Sequence, residues 1–376
     1  MRPWLLVSGD FVPVGGMDTA NHALASYLAR RGGTDVHLVA HRVSSDLSGH
    51  PSIRVHHVPR PLGMHTLGEP LLAGVGRRRA RAIRARGGHV VANGGNVDAG
   101  DVSWVHYVHA AYEPSAAGAV YSAIVASRHR RYVAAERRAL TRARLIICNS
   151  TRTMTDVVHS VGVHPSRVRR VYYGIDATRF HPHPDSASAR RALGLDAEAP
   201  VVLFVGALGD RRKNFDTLFA AWTGLCRQPD WDARLLVAGS GAELRAWRSR
   251  ADQTADVAGR ITFLGYRTDV PALVAAADLL VHPARYEAYG LAVHEALCCG
   301  VPAVASVSAG VAEQFPDYLR SLLVEDVDSA TELSNRLRKW RDERDRFRER
   351  AVRFSAALGS RTWDDMSRDI VELAES

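Results

Sequence analysis

The stretch HPARYEAYGLAVHEALCCGVPAVAS, residues 282–306, indicates how the rest of the chain folds. It begins at the end of one apolar run and ends in the next, and between them lie a short loop and an alanine-rich helical segment. Glu287 lies in the loop, Gly290 lies where the loop becomes the helix, and Glu295 lies one turn into the helix. A strand, a loop, a helix and a second strand in this order predict one unit of a parallel α/β sheet.

The same alternation of strand and helix runs along the chain in two consecutive sets. Strands of the first set are predicted at 4–9, 36–41, 89–95, 102–109, 145–150 and 169–175. Strands of the second set are predicted at 201–206, 234–241, 261–265, 279–284, 302–307 and 321–326. The polar stretch 181–188 is the best candidate for a linker, and charged or amphipathic helices are predicted at 331–354 and 363–374. Two such sets predict two doubly wound α/β domains, with ligands at the carboxyl ends of the strands and in the cleft between the domains.

Composition narrows the class of protein. The chain has 376 residues and an apolar share of 46%, which is enough for two domains with buried cores. No run approaches the ~20 apolar residues that a membrane span needs, and the N-terminal segment is too soon polar for a secretory signal. The four cysteines, Cys148, Cys226, Cys298 and Cys299, have no metal-ligand spacing, so we expect reduced thiols in a cytoplasmic protein. The net charge of +9 favours anionic partners such as nucleotides, phosphates or an anionic membrane surface.

The whole string from 282 to 306 resembles the signature of the family 4 retaining glycosyltransferases. In that signature a proline precedes two glutamates that are eight positions apart, and a glycine, a proline and a strand follow. The matching residues here are Pro283, Glu287, Glu295, Gly300 and Pro302. Further matches cover most of 4–326 and are strongest from 201 to 315.

This resemblance implies the GT-B fold, in which two Rossmann-like domains face each other across a cleft. It places an acceptor-binding domain at 1–178, completed by the C-terminal helix 361–376. It places a nucleotide-sugar-binding domain at 179–360.

The resemblance assigns the loop and the helix start to the donor, a nucleoside-diphosphate sugar. The donor-binding candidates there are Glu287, Ala288, Tyr289, Gly290, Leu291, Ala292 and Glu295. Unpaired N–H groups at a helix start suit a diphosphate, and Gly290 lets the backbone approach it closely. In the family, the counterpart of Glu295 holds the ribose, and the counterpart of Glu287 contacts the donor sugar or phosphate and is debated as a nucleophile. The alternative is that both glutamates are solvated charges.

A basic cluster follows the predicted strand 201–206 and resembles the family's loop that presents Arg and Lys to the diphosphate. Arg212 and Lys213 are the best matches, with Arg211 as an alternative. The position that is often Arg in the family is Ala207 here, so the cationic role falls on this cluster. Fixed cations in a dry cleft would stabilise the departing diphosphate without a metal. The candidates around the nucleotide base are Gly239, Gly241, Tyr266 and Arg267.

In the first half, the loop at 9–16 resembles the family's first loop, where a glycine pair sits beside the donor phosphate. The pair here is Gly15 and Gly16. Asp18 and Asn21 follow it and are candidates for contact with the acceptor. A structural turn would have the same sequence.

The predicted strand 102–109 ends in a histidine, as does a strand of the family whose histidine lies near the transferred sugar. His109 is the best match. His106, three residues back on the opposite face, is the alternative, and either could be purely structural. The family's Asn-Gly-Val-Asp string is changed here, since Tyr173 replaces the Asn.

The resemblance implies a retaining transfer of a sugar to a hydroxyl of a saccharide, lipid-linked or small-molecule acceptor. The catalytic candidates are Glu287, His109, Arg212 and Lys213. A phosphate oxygen would take the acceptor proton, and we expect no metal cofactor, so the Asp-x-Asp at 326–328 is interpreted as a loop. The alternatives are a sugar-nucleotide epimerase or a phosphorylase on the same fold, or a non-enzymatic nucleotide-sugar or nucleic-acid binder. Scattered basic residues without a stacking aromatic motif argue against nucleic acid.

Two basic helical stretches of the first half suit peripheral contact with an anionic membrane, such as the inner face of the cell membrane. Their arginines are Arg77, Arg78, Arg79, Arg81, Arg84 and Arg86, then Arg130, Arg131, Arg137 and Arg138. The alternative is an ordinary solvated surface. The donor base, the donor sugar and the acceptor stay open at this point.

Overall fold

The computed structural model describes residues 2–98, 100–114, 119–183, 186–196 and 199–376, so part of the predicted linker lies outside the described residues. The chain forms two compact units. The first unit consists of Met1–Gly174 and Thr362–Ser376, and the second consists of Ile175–Arg361. The boundaries predicted from the sequence lie after 178 and after 360.

The first unit is built on a parallel sheet of seven strands. The strands of this sheet are β1 (Trp4–Val7), β3 (Val36–Ala40), β5 (Ile53–His57), β6 (His89–Asn93), β7 (Val102–Val105), β8 (Leu145–Cys148) and β9 (Val168–Arg170). Two short strands, β2 (Asp10–Phe11) and β4 (Arg42–Val43), form a separate parallel pair. Its helices are α1 (Gly16–Arg30), α2 (Ser45–Ser48), α3 (His65–Ala85), α4 (Ala119–Arg142) and α5 (Thr151–Asp156). The strand order is β5-β3-β1-β6-β7-β8-β9.

The second unit is built on a parallel sheet of six strands. The strands are β10 (Val201–Val205), β11 (Arg234–Ala238), β12 (Ile261–Gly265), β13 (Leu279–His282), β14 (Ala303–Ser306) and β15 (Leu323–Val324). The helices are α6 (Ser186–Ala192), α7 (Phe215–Cys226), α8 (Leu244–Gln253), α9 (Val270–Ala276), α10 (Leu291–Cys298), α11 (Ala330–Asp342) and α12 (Arg344–Gly359). The last helix of the chain, α13 (Trp363–Glu375), belongs to the first unit.

Both sheets have the doubly wound order that the sequence predicts. In the second unit the order is β12-β11-β10-β13-β14-β15, and every pair of neighbours is parallel. The order reverses between β10 and β13, and in the first unit it reverses between β1 and β6. In such sheets the two loops on either side of the reversal diverge at the carboxyl ends of the strands and leave a crevice for ligands. The strands at both reversal points are almost wholly buried and rich in Val and Leu, as strands covered on both faces usually are.

Several strands differ from the prediction: the short strands β2 and β4 were not predicted, β9 ends at Arg170 rather than at 175, and β7 and β5 differ as well. β7 ends at Val105, opposite Cys148 at the end of β8, so His106 is the first residue beyond the strand and His109 lies outside it. β5 has no counterpart in the predicted set, because it is an edge strand whose polar residues are only partly covered and it lacks a continuous apolar run.

The stretch 331–354 also differs, because it is not one helix. It spans the two helices α11 and α12, which are separated at Glu343. Trp340 near the end of α11 and Phe347 in α12 are both fully buried. Both rings belong to the core of the second unit, so each of the two helices is anchored there.

The C-terminal helix α13 completes the first unit. Its N-terminus has a capping box, in which the Thr362 hydroxyl accepts from the N–H of Asp365 at 3.1 Å and the Asp365 carboxylate accepts from the N–H of Thr362 at 2.9 Å. Met366, Ile370 and Val371 form the buried face, and the helix packs on α1. Gly174, at the end of this unit, touches the start of α13 so closely that a Cβ would clash with the carbonyl oxygen of Thr362.

None of the helices described is both long and apolar enough to cross a lipid bilayer.

The loops that follow β10 and β11 lie against each other in the second unit. The N–H of Gly206 donates to the carbonyl of Ala238 at 3.0 Å, and the N–H of Leu208 donates to the carbonyl of Ser240 at 2.9 Å. A Cβ on Gly239 would clash with the carbonyl oxygen of Gly206. The glycine is therefore required by backbone packing alone.

Replacing Gly239 with Ala should lower the free energy of unfolding of the second unit by about 3 kcal/mol, because the methyl group has no space without moving two loops. Chemical denaturation followed by tryptophan fluorescence measures this change. Gly224→Ala is the matched control, since Gly224 is exposed in α7 and no heavy atom lies within 4 Å of its Cβ position. That variant should be more stable by up to about 1 kcal/mol. Equal effects of the two substitutions would contradict the packing argument.

Candidate functional site

Glu287 lies in the loop after β13, and its carboxylate is held by two side chains. Its Oε2 is 2.6 Å from Nζ of Lys213 and 2.7 Å from Nε2 of His282. Burial by itself would raise the pKa of Glu287, but Lys213 and His282 outweigh burial and hold the pKa well below its usual range. Glu287 is therefore ionised at neutral pH, and Nε2 of His282 donates a hydrogen bond to it.

Lys213 and Glu287 are 74 positions apart and meet because β10 and β13 are neighbours in the sheet. Lys213 ends a single turn of 3-10 helix, Arg211–Lys213, in the loop after β10. The strand order reverses at this pair of strands, so the ion pair lies where a doubly wound sheet binds its ligand.

Asn214 fastens the basic turn to the loop that carries Glu287. It is buried and has a φ of 59°, a left-handed conformation that asparagine tolerates better than most residues. Its side-chain amide donates to the carbonyl oxygens of Pro283 at 2.9 Å and Val327 at 2.6 Å. The Lys213 ammonium is therefore positioned by a rigid backbone.

The two arginines of the turn differ in their partners. The guanidinium of Arg212 forms a two-pronged ion pair with Asp210, with Nε–Oδ1 at 3.0 Å and Nη2–Oδ2 at 2.7 Å. Arg211 is exposed, and none of the salt bridges among the described residues includes its side chain. Arg211 is therefore the more available cation of the two, although the sequence favours Arg212.

The start of α10 is formed by a sharp turn at Gly290. Its φ of 106° is unfavourable for other residues, and a Cβ would lie 3.0 Å from Cγ1 of Val311. The N–H groups of Gly310 and Val311 donate to the carbonyls of Glu287 at 3.2 Å and Tyr289 at 2.7 Å. These two hydrogen bonds hold the loop in place. The first N–H groups of α10 have no acceptors within the helix.

Glu295, one turn into α10, has the opposite electrostatic character to Glu287. Its carboxylate forms no hydrogen bond or salt bridge with any residue in the described part of the chain. Burial raises the pKa of Glu295 to about 8, and the nearest cation, Arg179, only partly opposes this. The Glu295 side chain is partly exposed, so a ligand hydroxyl could reach this unpaired carboxyl group.

The residues predicted around a nucleotide base are dispersed over three loops. Gly239 and Gly241 are each required by the close approach of the β10 loop, because a Cβ would clash with the carbonyl oxygens of Gly206 and Leu208, respectively. The Tyr266 side chain is 63% exposed. Arg267 forms an ion pair with Asp269.

A cavity of about 470 Å³ lies in the first unit between α3, α4 and the loops after β6 and β7. Both candidate histidines line it, together with Asn93, Glu136 and the ring of Tyr132. The loop after β6 borders the point where the strand order of this sheet reverses. The cavity is therefore where the fold of the first unit favours a ligand.

The two histidines have different environments in this cavity. His106 is buried and its Nδ1 is 2.5 Å from the hydroxyl of Tyr173, and burial lowers the pKa of His106 to about 3, so it is neutral. His109 is half-buried, its Nδ1 is 3.1 Å from the hydroxyl of Tyr112, and its ring stacks on Tyr132 with centroids 5.0 Å apart.

Glu136 of α4 holds the segment that carries His109. Its two carboxylate oxygens accept from the N–H groups of His109 at 2.9 Å and Ala110 at 3.0 Å. Burial raises the pKa of Glu136 to about 7 despite these hydrogen bonds. The carboxyl group therefore sits beneath the turn that presents His109 to the cavity.

The glycine pair lies at the start of α1. Gly15 has a φ of 81°, and no heavy atom lies within 4 Å of its Cβ position, so a ligand could approach the backbone there. Asp18 is partly buried, and burial together with the charge of Asp10 raises the pKa of Asp18 to about 6. Asn21 is buried and its amide group bonds to Ser8 at 2.9 Å and Asn93 at 2.9 Å.

Two family models between them match most of the chain. The model "Glycosyltransferase Family 4" matches residues 14–179, and "Glycosyl transferases group 1" matches residues 185–356. The chain belongs to glycosyltransferase family 4. The resemblance inferred from the sequence is thereby confirmed.

Solved structures of glycosyltransferases are similar to this family 4 chain over its whole length. WaaG, a glycosyltransferase involved in lipopolysaccharide biosynthesis, has a TM-score of 0.78 at 22% identity and covers 99% of both chains. HepE of Anabaena, solved in complex with UDP and glucose, has a TM-score of 0.68 at 20% identity and covers 100% of both chains. At these identities the likeness concerns the fold, and it confirms the predicted GT-B fold class.

Curated relatives match parts of the chain at higher identity. The lipopolysaccharide core biosynthesis mannosyltransferase LpsB of Rhizobium meliloti is 39% identical over 143 residues, which is 36% of this chain and 39% of that protein. D-inositol 3-phosphate glycosyltransferase 2 of Catenulispora acidiphila is 31% identical over 243 residues, which is 61% of this chain and 57% of that protein. The chain therefore spans 39% and 57% of the length of these two relatives.

The structure brings the family 4 candidates into two clusters, one in each unit. In the second unit, the loop from Glu287 to Ala292, Glu295 and the Arg211–Lys213 turn gather at the reversal of the sheet. In the first unit, His106 and His109 line one cavity.

Three candidates have a position that differs from the expected contact with substrate. Asn21 was expected to reach the acceptor, but it is buried and braces the ends of β1 and β6 through Ser8 and Asn93. Ala288 and Tyr289 are buried, so their side chains support the loop and only their backbone remains for a donor.

Three residues at the site escaped the sequence analysis. His282 is the residue before Pro283 of the signature, and Asn214 follows the basic cluster, so both lay beside residues that were singled out. An asparagine between a basic cluster and an apolar helix could have indicated a left-handed turn. Glu136 lies in an arginine-rich helix, and its burial has no signal in the sequence.

Removal of the Lys213 charge should destabilise the second unit, because Glu287 would be left buried with His282 as its remaining partner. We expect Lys213→Met to lower the free energy of unfolding by about 3 kcal/mol at neutral pH. The pKa of Glu287 is lowered by folding, so the contribution is complete above the ordinary value of 4.5 and is lost as the pH falls below it. Denaturant midpoints between pH 7 and pH 4 measure both effects.

The chain has one other lysine, Lys339, which is exposed on α11 and provides the matched control. Lys339→Met should leave stability within about 0.5 kcal/mol of the unsubstituted protein. A Lys213→Met variant that is as stable as Lys339→Met at pH 7 would show that the ion pair does not hold the loops together.

Proposed function

We propose that this chain is a retaining glycosyltransferase that transfers a sugar from a nucleoside-diphosphate sugar to a hydroxyl group of an acceptor, without a metal ion. The observation that carries the proposal is the ionised Glu287, fixed by Lys213 and His282 beside the N-terminus of α10 at the reversal of the second sheet. The positive charge of Lys213 and of the helix N-terminus would complement an anionic leaving group. The negative charge of Glu287 would complement a positively charged sugar centre.

The donor diphosphate would lie on the N–H groups at the start of α10. The helix N-terminus carries a partial positive charge, and Gly290 allows the close approach. Lys213 and Arg211 would neutralise the charge that grows on the diphosphate as its bond to the sugar breaks. Because these cations are held by the protein, no metal is needed for this step.

Glu287 would face the sugar, and its fixed negative charge would stabilise the positive charge that develops at the anomeric carbon. The bond from that carbon to the phosphate oxygen breaks while the bond to the acceptor oxygen forms on the same face. The acceptor proton passes to the departing phosphate oxygen. The configuration is retained because both bonds lie on one face, and no further general base is required.

Glu295 would hold the ribose of the nucleotide. Its unpaired, buried carboxyl group gains hydrogen bonds when two vicinal hydroxyls arrive, which compensates for the burial that raises its pKa to about 8. The same residue therefore costs stability in the free protein and contributes to affinity in the complex.

The relatives favour particular substrates for a first experiment. HepE of Anabaena has been solved with UDP-glucose, and two of the relatives are a mannosyltransferase and a D-inositol 3-phosphate glycosyltransferase. We therefore propose a hexosyl donor and a saccharide or polyol acceptor. Thermal shifts with UDP-, GDP-, ADP- and dTDP-sugars rank the donors, because a bound ligand raises the unfolding temperature.

The test of the reaction is the configuration of its first product, followed by NMR in the presence of EDTA. With the donor that gives the largest thermal shift, the anomeric carbon of the newly transferred sugar should keep the configuration that it has in the donor. The rate with EDTA should equal the rate with added Mg²⁺ or Mn²⁺. Inversion of the configuration would refute the retaining mechanism, and loss of activity in EDTA would refute metal independence. Conversion of the donor without any acceptor to an epimeric nucleotide sugar would favour the epimerase alternative.

Glu295→Gln separates the two effects of this residue. The pKa of Glu295 is raised by folding, so its contribution to stability is complete below the ordinary value of 4.5 and is lost as the pH rises through about 8. The variant should therefore lose less stability than the unsubstituted protein between pH 5 and pH 8.5, while its affinity for the nucleoside diphosphate falls about tenfold. Denaturation across this pH range and calorimetry with the nucleotide measure the two effects.

Glu349→Gln, an exposed change on α12, is the control and should alter neither quantity. If Glu295→Gln raised only the KM for the acceptor and left nucleotide affinity unchanged, the assignment of Glu295 to the ribose would be wrong.

A further inference from the structure

Arg285 lies in the loop after β13, and its guanidinium has one acceptor for each of its five N–H donors. Nε donates to Oδ1 of Asp328 at 2.6 Å. Nη1 donates to Oδ1 of Asp216 at 3.0 Å, and Nη2 donates to Oδ2 of the same carboxylate at 2.9 Å. The two remaining donors face the carbonyl oxygen of Arg211 at 3.1 Å and the hydroxyl of Thr217 at 3.4 Å. A planar group with a partner at every donor is held in one orientation.

These contacts join loops that follow three strands of the second sheet. Arg211 belongs to the loop after β10, Arg285 to the loop after β13 and Asp328 to the loop after β15. In the sheet these strands lie in the order β10-β13-β14-β15. One side chain therefore connects loops from both ends of this row of four strands.

The basic turn Arg211–Lys213 is held through its backbone by Arg285. The N–H of Arg285 donates to the carbonyl of Arg212 at 2.8 Å, next to the carbonyl of Arg211 that accepts from the guanidinium. Two successive peptide planes of the turn are therefore fixed by one residue. Once its peptide planes are fixed, a segment can move its side chains only between rotamers. Arg285 thus constrains the direction in which the turn presents its cations.

The Asp-x-Asp at 326–328 takes part in the same arrangement. The carboxylate of Asp328 accepts from Arg285, and the carbonyl of Val327 accepts from the side-chain amide of Asn214 at 2.6 Å. The loop after β15 therefore supplies an acceptor for Arg285 and another for the residue that follows the basic turn.

The main consequence of these ion pairs is geometric. The side chains of Arg285 and Asp216 are 30% and 46% exposed, and that of Asp328 is 65% exposed. Ion pairs at such exposure contribute little to the free energy of unfolding, because solvent screens them. Replacement of Arg285 by lysine would keep the positive charge, but an ammonium has three donors on one atom and cannot meet five acceptors that surround a plane.

We propose that Arg285 is a positioning residue for the donor, which fixes the basic turn so that the cations of the turn meet the outer phosphate of the nucleoside diphosphate. Arg285 does not itself contact the donor, since each of its N–H groups already has an acceptor. Asp328 acts at one further remove by holding Arg285. The inference rests on the proposed function, in which Lys213 and Arg211 neutralise the diphosphate.

The test compares the affinity for a nucleoside diphosphate with the affinity for the corresponding monophosphate, both measured by calorimetry. The probes are UDP, GDP, ADP and dTDP, each beside UMP, GMP, AMP or dTMP. For the diphosphate that binds most tightly, the ratio of the two affinities reports how firmly the outer phosphate is held. Arg285→Lys should reduce this ratio about tenfold, because the charge-assisted contacts to that phosphate lose their geometry. A variant that only loosened the unit would lower both affinities together and keep the ratio.

Arg341→Lys is the matched control. Arg341 of α11 forms a two-pronged ion pair with Asp232 at 2.7 Å and 2.6 Å, and the two side chains are 31% and 49% exposed. These values are close to those of Arg285 and Asp216, so the control removes a comparable ion pair away from the basic turn. It should leave the ratio unchanged. The same ratio in Arg285→Lys and in Arg341→Lys would overturn the proposal.

Asp328→Asn tests the same role with a smaller change. The side chain is largely exposed and the amide has the same shape as the carboxylate, so the variant keeps its fold, which circular dichroism checks. We expect it to reduce the ratio about threefold, in keeping with the loss of one exposed ion pair. If Arg285→Lys does not fold, the result with Asp328→Asn decides, and an unchanged ratio would count against the proposal.

A measurement of stability separates this inference from the proposed donor chemistry, which would be refuted if none of the four diphosphates bound. Lys213→Met is introduced into Arg285→Lys and into Arg341→Lys. The shift in denaturant midpoint that Lys213→Met causes should be smaller by about half in the first background, because there the ammonium no longer lies against Glu287 in a fixed geometry. Equal shifts in the two backgrounds would overturn the positioning role of Arg285, whether or not a nucleotide binds.

Discussion

The contact between Lys213 and Glu287 is the interaction on which the candidate site of the second unit depends. It joins loops that follow two neighbouring strands, and the side chains of Asn214 and Arg285 also connect these loops. The ammonium keeps a buried carboxylate ionised, and the carboxylate keeps the ammonium at the mouth of the crevice. Without this pair the crevice would lose both a fixed anion and a fixed cation.

The two glutamates of the signature illustrate how one short segment creates two different electrostatic environments. Glu287 precedes the helix and is surrounded by donors, so it is ionised. Glu295 follows the helix start and has no hydrogen-bond partner among the described residues, and burial raises its pKa to about 8. The eight-residue spacing places Glu287 before the N-terminus of α10 and Glu295 one turn into that helix. The difference arises from the neighbours of each residue, since both side chains are the same.

Much of the fold was accessible from the sequence because parallel strands buried on both faces leave continuous apolar runs. The predicted strands 201–206 and 279–284 therefore came within one residue of the end of β10 and within two residues of the end of β13. The edge strand β5 has no such apolar run and was not predicted. The end of β7 was predicted too late, because apolar and polar residues continue to alternate after Val105. The site was accessible only in part. A motif identifies residues that lie close together in sequence. The hydrogen bonds of Glu136 to the His109 backbone and of His106 to Tyr173 join residues that are 27 and 67 positions apart, so no motif contains both partners.

The C-terminal helix has a consequence for how the chain is made. The first unit contains α13, which follows the whole of the second unit in the sequence and covers α1 with its apolar face. During synthesis the nine strands of the first unit and helices α1 to α5 leave the ribosome long before α13, the helix that completes the unit. The apolar face of α1 must therefore stay uncovered while the second unit is translated and folds. Newly made chains would then be most vulnerable to aggregation in this interval, and a chaperone that shields α1 would act on the nascent polypeptide rather than on the finished enzyme.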